Sequence, residues 1–594
     1  MTAEKTMISA VPTQNTSFRA FGWVQDPSNL RSLCDVVAVF DKNSQKHEEL
    51  INDIIPRLVE ERDGRNELIK ALDSDPVKLK YAQLVGTSFL PRSSSRCNGI
   101  IQAAVKGQGR DFIVDWPADN FVRWAHCFGF IKYDYADDSF EITPDGLKLT
   151  SARETGDMLS AKEKELLTNA VLAYPPAIRI LSLLSQTEDE HLTKFEIGQQ
   201  LGFIGEDGFT SMPQKIFVRS LANADARTRA IMKADWEGSS DKYARMIASW
   251  LEKLGLVEKA PKEITVSFAG KEFTEKIGQA YVITAKGITA LGKAAGKSKH
   301  KRIAKNVCWE MLSTKGADRE YLRTRRAFVL KYLTENKKRV SISEIINYLK
   351  TVKIDENEKT VYDDIRGLRN IGINILEKDN LFLFDDEIND FVIPLQQSLA
   401  KSELTEAKER LRAKMSNLSH DYLALIDLAY DSKQHRLFEM KTLDLLTEEC
   451  DYQGMHLGGS RKPDGIIYAN TGKSKYGIII DTKAYSKGYN LPISQADEME
   501  RYIGENQTRN EKVNPNKWWE GFADDVNEFY FMFVAGHFVG NFKSQIERIG
   551  RNKGVNGAAV AVENLLLCAE AYSAGEMTHE SIKNKVFNNG EFVF

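Results

Sequence analysis

Residues 456–487 read HLGGSRKPDGIIYANTGKSKYGIIIDTKAYSK, and they decide the C-terminal third of the chain. The runs GIIY and YGIII are short, rich in isoleucine and separated by polar turn residues near 471–475, which predicts two antiparallel strands. Asp464 opens the first strand and Asp481 closes the second. Side chains alternate along a strand, so Asp481 and Lys483 share one face while Thr482 points away. The hairpin brings Asp464 to the level of Asp481 and Lys483. Two carboxylates held together repel unless a cation joins them, and oxygen-only ligands favour a hard ion, magnesium or manganese. Lys483 adds positive charge for a phosphoryl-like transition state and a means of orienting water. Glu439, in the upstream amphipathic stretch RLFEMKTLDLL, offers a further carboxylate. The plainer alternatives are a turn-forming Pro-Asp-Gly at Asp464 and a surface ion pair between Asp481 and Lys483.

The rest of the chain is bounded by size and charge. A length of 594 residues suggests about three to five domains. The net charge of −3 does not advertise a nucleic-acid partner, so any DNA surface must come from local clustering of Lys and Arg. The cysteines at 34, 97, 127, 308, 450 and 568 form no CxxC pair, which argues against a zinc knuckle or redox motif and fits a reducing cytosol. No run of about 18 apolar residues suggests a membrane span, and the N-terminus lacks a signal-peptide core. The expectation is a cytoplasmic protein with no membrane partner.

An internal echo organises the N-terminal part. Residues 121–147 read FVRWAHCFGFIKYDYADDSFEITPDGL; residues 247–260 read IASWLEKLGLVEKA, and AYVITAKGI follows at 280–288. In both, a Trp stands five residues before a Gly that ends an apolar-periodic helix: Trp124 and Gly129, then Trp250 and Gly255. An Ile-Thr-x-x-Gly follows each, at Thr143–Gly146 and Thr284–Gly287. A helix closed by a left-handed glycine and followed by a hairpin of alternating apolar residues is the end of a winged-helix unit. A looser third copy lies at 361–384, with Gly372 in the cap position. Such units serve DNA or protein contacts alike.

Residues 293–305, KAAGKSKHKRIAK, read as a basic linker suited either to phosphate contact or to plain solvation. Arg323, Arg325 and Arg326 fall near a predicted helix and offer forks for phosphate. Residues 399–418 read as a solvated helix with alternating charges, and the main boundary is placed near 396. The domains expected are 1–160, 161–300, 301–395 and 396–594.

Longer motifs carry a family resemblance. MHLGGSRKPDG (455–465), DTKAYSKGYNLPISQADEMERY (481–502), ENQTRN (505–510), FGWVQDP (21–27), FVRWAH (121–126), YPPAIRIL (174–181) and DWEGSSDKYARM (235–246) closely resemble the FokI-type type IIS restriction endonucleases. The resemblance runs in order over nearly the whole chain. It implies a multidomain α/β protein: N-terminal winged-helix (helix-turn-helix) recognition subdomains plus a C-terminal PD-(D/E)xK restriction-endonuclease-like α/β domain. Asp464, Asp481 and Lys483 are then catalytic, with Asp464 and Asp481 as metal ligands for Mg2+, for which Mn2+ substitutes.

The resemblance also implies dimerisation through the nuclease domain at Asp497 and Arg501, although their i,i+4 spacing equally suits one intrahelical ion pair. Base-reading positions correspond to Arg92, Gln108, Trp116, Lys242 and Arg245, residue types suited to direct readout. Read plainly, Trp116 is a core aromatic, and Lys242 and Arg245 lie on a solvated helix face. Asp26 and Ala234-Asp235 stand where the family has asparagines, so the target, with GGATG as first guess, is open to change. The activity implied is a double-strand cut outside an asymmetric DNA site, leaving 5′-phosphates, by a chain monomeric in free solution that pairs transiently on double-stranded DNA. The alternatives are a winged-helix regulator with a degenerate nuclease-like dimerisation domain, and a structure-specific repair nuclease.

Overall fold

The computed structural model describes residues 7–13, 19–154, 156–187, 190–222, 224–268, 270–297, 300–316, 318–395, 401–471 and 474–594. Two compact units emerge. The first comprises 1–203, 242–260 and 279–400; the second comprises 204–241, 261–278 and 401–594. The boundary expected near 396 falls at the edge of 396–400, outside the described residues, and so does the turn at 472–473.

The echoed stretches form three helix-and-hairpin modules. In the first, helix α1 (Asp115–Cys127) precedes strands β1 (Ile131–Asp134) and β2 (Ser139–Ile142) and helix α2 (Pro144–Ser151). The second has helix α3 (Lys242–Lys253), strands β3 (Val257–Phe268) and β4 (Lys271–Ile283) and helix α4 (Ala285–Ala294). The third has helices α5 (Arg319–Glu335) and α6 (Glu358–Asn370) and strands β5 (Ile375–Lys378) and β6 (Leu381–Phe384). In each, a two-residue strand from earlier in the chain (Leu79–Lys80, Leu192–Thr193 or Val340–Ser341) pairs with the second hairpin strand, giving the same three-stranded order every time.

The local signals behave as their chemistry requires. Gly129, Gly255 and Gly372 take φ of +74°, +73° and +102° just beyond their helices, a region that favours glycine. Thr143 and Thr284 cap α2 and α4 by accepting from Gly146 N and Gly287 N. The repeated tryptophans meet: Trp124 and Trp250 are fully buried and stack with centroids 4.7 Å apart at 13°. The third module has Gly367 at that position, where a Cβ would run into the Phe203 ring at 2.2 Å.

Three charge readings are corrected. Arg323, Arg325 and Arg326 on α5 are buried, not phosphate-facing. Arg325 binds Asp364 through Nε at 2.6 Å and Glu356 through Nη1 at 2.9 Å, Arg326 shares Asp364 at 2.8 Å, and Arg323 donates to the carbonyls of Ser313 and Arg19. In the basic linker, Lys305 is buried and donates to Gly372 O and Asp386, and Arg302 donates to Asp385 O. The charged helix α7 (Glu403–Lys414) is not solvated all round: Ala407, Lys408, Leu411 and Arg412 are buried, with Lys408 paired to Asp427 at 2.5 Å. Each cation sits where an acid or a carbonyl compensates its desolvation.

The C-terminal part of the second unit is built on one six-stranded sheet. Helix α8 (His435–Asp444) precedes strands β7 (Gln453–His456), β8 (Gly465–Thr471) and β9 (Ser474–Lys483). Then come helix α9 (Ile493–Thr508), strand β10 (Glu528–Ala535), helix α10 (Phe542–Lys553), strand β11 (Gly557–Ala561), helix α11 (Val562–Ser573) and strand β12 (Gly590–Phe592). The strands lie in the order β7-β8-β9-β10-β11-β12. The first three are antiparallel and the last four parallel, so β9 belongs to both halves. Ile478, Ile479 and Ile480 are all buried, as expected of a central strand covered on both faces. The six cysteines are free thiols, and among the described residues no single helix is long and apolar enough to cross a membrane.

Candidate active site and recognition surface

The hairpin β8–β9 forms as its alternation predicts, in the register Gly465↔Ile480. That register leaves Asp464, one residue before β8, across from Asp481. Asp464 Oδ2 accepts from Thr482 N at 2.7 Å and from Thr482 Oγ1 at 3.2 Å, which ties it to the neighbouring strand. Asp481 is 4% exposed, and its Oδ1 accepts from Lys483 Nζ at 2.7 Å. The two acids and the amine therefore meet at one strand junction.

The charges there are in tension. Burial, then the neighbouring Asp481 and Glu439 carboxylates, hold the Asp464 carboxyl well above the usual carboxylate range, with Lys483 opposing. Burial pushes the Lys483 ammonium toward losing its proton, but Asp481 and Asp464 outweigh it and leave its pKa raised. The crowding of these acids is what a divalent cation placed between them would relieve. The donors are oxygens, which suits a hard cation. Among the described residues no three acidic, His or Cys side chains form a group that could hold a metal ion.

A stability consequence can be measured. A carboxyl whose folded pKa lies above its unfolded value stabilises the fold fully below the unfolded pKa, and that contribution is lost as pH rises through the folded pKa. At pH 8 in chelator, Asp464→Asn is expected to raise the melting temperature, by roughly 2–4 °C per kcal/mol recovered, and the gain should vanish near pH 4. A melting curve that is unchanged or lowered at pH 8 contradicts the crowding of these acids.

Behind the pair, His456 Nε2 donates to Glu439 Oε2 at 2.8 Å. Trp236 rests edge-on against His456 at 5.4 Å and 69°, Arg436 lies over the Trp236 ring at 4.3 Å, and Arg436 also pairs with Asp235 at 3.1 Å. Sequence reading missed His456 and Arg436. His456 opens the quoted motif, but its partner lies 17 residues upstream on a helix.

Comparison with known proteins gives the lineage. FokI family models match in four blocks: recognition domain subdomain 1 at 19–152, subdomain 2 at 163–299, the D3 domain at 312–380 and the cleavage domain at 401–593. The chain is 46% identical over 585 residues to the type II restriction enzyme FokI of Planomicrobium okeanokoites, covering 98% of this chain and 100% of the relative. This chain belongs to the FokI family of type II restriction endonucleases.

The type II restriction enzyme StsI of Streptococcus sanguinis is a second relative, 34% identical over 583 residues, with 96% and 95% coverage. Solved structures of FokI, and of FokI bound to DNA, superpose with TM-scores of 0.90 and 0.91 at 46% identity, covering 97% of this chain and 100% of theirs. The FokI-like architecture of N-terminal recognition domains and a C-terminal cleavage domain follows.

The remaining family positions divide. On α9 the intrahelical i,i+4 pair that the plainer alternative gave Asp497 and Arg501 does not form. Asp497 instead pairs with Arg548 of α10 at 2.5 Å, and Arg501 pairs with Glu498 at 2.9 Å. Opposite charge at shorter range on each side outcompetes the intrahelical contact. Both helix positions remain at the surface, Asp497 exposed and Arg501 exposed. In the first module Trp116 is 44% exposed at the start of α1, so it is not the core aromatic of the plainer reading; Arg123 lies 5.7 Å from its ring. Arg92 is exposed and paired with Asp115 at 2.7 Å, and Gln108 is exposed in the turn bridged by Gly107 and Arg110. Lys242 is exposed and Arg245 half-buried on the first turn of α3. Of the two departures, Asp26 is exposed, and Asp235 finds its counter-charge in Arg436.

Proposed function

We propose that this FokI-family chain is a type IIS endonuclease: it binds an asymmetric double-stranded DNA site, with GGATG as first candidate, and makes a magnesium-dependent double-strand cut outside it. The observation that carries this reading is the opposition of Asp464 and Asp481, with Lys483 on the latter, at the junction of two neighbouring strands. A bound Mg2+ or Mn2+ supplies positive charge at the scissile phosphate and acidifies a nearby water. Asp464 and Asp481 would hold the cation. Lys483 presents its ammonium to the developing phosphate charge and orients the attacking water. Hydrolysis in line with the leaving 3′-oxygen yields 5′-phosphate and 3′-hydroxyl ends.

Recognition is assigned to the modules within 1–160 and 161–300, with Arg92, Gln108, Trp116, Lys242 and Arg245 reaching base edges or the adjacent backbone; 301–395 forms the third module and 396–594 the nuclease. The exposed side chains of the first four or their neighbours give salt-sensitive affinity. Incubating plasmid DNA with the chain and magnesium tests the reading: discrete fragments with staggered 5′-phosphate ends at a constant distance from one motif are expected. Intact DNA that is nonetheless shifted in a gel would mean a regulator, and cutting confined to branched DNA would mean a repair nuclease.

Among the described residues each chain offers one such strand junction, so a double-strand cut calls for a second copy, and the α9 surface carrying Asp497 and Arg501 is proposed as its seat. The chain is then monomeric in free solution and pairs on DNA. Arg501→Ala is expected to slow cleavage about 10-fold or more at low protein concentration, on the scale of losing one interface ion pair worth about 1.4 kcal/mol, and to recover as protein is added. A rate equal to wild type at every dilution would remove α9 from the interface.

A further inference from the structure

Glu505 is 3% exposed on α9, and catalysis by Asp464, Asp481 and Lys483 leaves it without a role. We infer that Glu505 and Asn514 are positioning residues of the cation site: the carboxylate anchors the Asn514 amide, and the amide holds the loop that delivers Asp464. The inference rests on the nuclease reading of the Asp464–Asp481 pair. Residues 457–464 join β7 to β8 in a sharply bent loop. Leu457 N donates to Asp464 O at 2.9 Å, which closes its base. Gly458, Gly459 and Arg461 take φ of +49°, +88° and +61°. An arginine enters the left-handed region at a cost, so Arg461 needs outside contacts to stay there.

Those contacts come from one turn after α9. Arg461 Nη2 donates to Val513 O at 2.7 Å, and the Arg461 carbonyl accepts from Asn514 Nδ2 at 2.9 Å. Asn514 is fully buried, and both polar atoms of its amide are engaged: Nδ2 also donates to Glu505 Oε2 at 2.8 Å, and Oδ1 accepts from Asn516 N at 3.0 Å. Those three bonds fix which way the amide faces. Glu505 Oε2 accepts a second bond from the Trp518 indole at 2.9 Å, and Oε1 faces Arg501 Nε at 3.8 Å, an ion pair without a hydrogen bond. A buried carboxylate is costly to desolvate, and an apolar side chain would fill the same space without that cost. What the carboxylate adds is the acceptor that aims Asn514. Only Lys462 and Pro463 separate Arg461 from Asp464. The proline fixes its own φ and restricts the lysine before it, so a shift at the Arg461 carbonyl is passed on with little slack. Asp464 is thus held from two sides. Thr482 on β9 grips its carboxylate, and Asn514 sets the direction from which its backbone arrives.

The test measures three quantities on the full chain: Mn2+ affinity from the free-ion electron paramagnetic resonance signal, the single-turnover rate of plasmid cutting across magnesium concentrations, and target binding by gel shift. Asn514→Ala and Glu505→Leu should each weaken Mn2+ binding about 10-fold or more, raise the magnesium needed for half-maximal cutting, and leave target binding unchanged. Glu505→Gln, whose side-chain oxygen still accepts from Asn514 and Trp518, should recover most of the affinity. The exchanged pair, Glu505→Gln with Asn514→Asp, rejoins α9 to the turn with donor and acceptor reversed but offers no donor to the Arg461 carbonyl. It should bind Mn2+ as poorly as Asn514→Ala, whereas a role in packing alone would be restored by the exchange. Should Asn514→Ala or Glu505→Leu lose the wild-type circular dichroism, the other variant and the exchanged pair decide the matter. Wild-type affinity in Asn514→Ala, a Glu505→Gln no better than Glu505→Leu, recovery in the exchanged pair, or no Mn2+ site in the wild type would each overturn the inference. Asp481→Ala, run in parallel, separates the failures. If it binds Mn2+ and cuts as wild type, the nuclease reading falls; if it is inactive while Asn514→Ala is normal, only the roles of Glu505 and Asn514 fall.

Discussion

Asp481→Ala is expected to lower the rate of DNA cleavage by about 10³-fold or more while leaving binding to the target site unchanged. Asp481 is buried and held by Lys483. It lies on β9, between antiparallel β8 and parallel β10, and its carboxylate is shared between the Lys483 ammonium and the space facing Asp464. Truncation removes one of the two acids proposed to hold a cation and takes from Lys483 its bond to the Asp481 carboxylate, so charge and direction are lost together. Asp481 is not among the positions assigned to DNA recognition, hence the expected unchanged binding. Single-turnover cleavage and a gel-shift titration measure the two quantities separately. Cleavage within a factor of ten of wild type would remove Asp481 from the chemistry, and parallel loss of binding would mean a folding defect instead.

The largest expected effect on stability lies elsewhere, in the third module. Asp364→Ala should destabilise the first unit by about 3–5 kcal/mol, because it removes a carboxylate shared by two buried guanidiniums. Asp364 accepts from Arg325 Nε and Nη2 and from Arg326 Nε at 2.6, 3.0 and 2.8 Å, and all three side chains are at most 4% exposed. Glu356 would remain on Arg325 Nη1. Asp364→Asn, which keeps the shape and one acceptor oxygen, should lose less. Denaturant melts of both variants check the order, and an alanine variant within about 1 kcal/mol of wild type would contradict the shared-acceptor arrangement.

The hairpin β8–β9 was legible because its information is local. Two Ile-rich runs, a turn and alternation suffice to oppose Asp464 and Asp481 and to put Lys483 beside them. The module ends were legible for the same reason: Gly129 and Gly255 need positive φ and Thr143 and Thr284 need a donor three residues on, all within a few positions. What sequence left unread depends on partners far along the chain. Arg325 and Arg326 look like phosphate ligands until Asp364 arrives 39 and 38 residues later. Asp497 and Arg501 look like an i,i+4 pair until Arg548 reaches Asp497 from another helix, 51 residues away. A charge on a helix announces its sign but not its neighbour, and burial is decided by the neighbour.

The stacked Trp124–Trp250 pair has a bearing on how target preference can be re-engineered. Because equivalent residues of two modules share one aromatic contact at 4.7 Å, neither module owns its own keystone. Transplanting one of them into another scaffold would sever the joint and unsettle the module left behind. New preferences are therefore more accessible by repainting outward-facing side chains such as Trp116 and Lys242 on an intact tandem than by shuffling whole units.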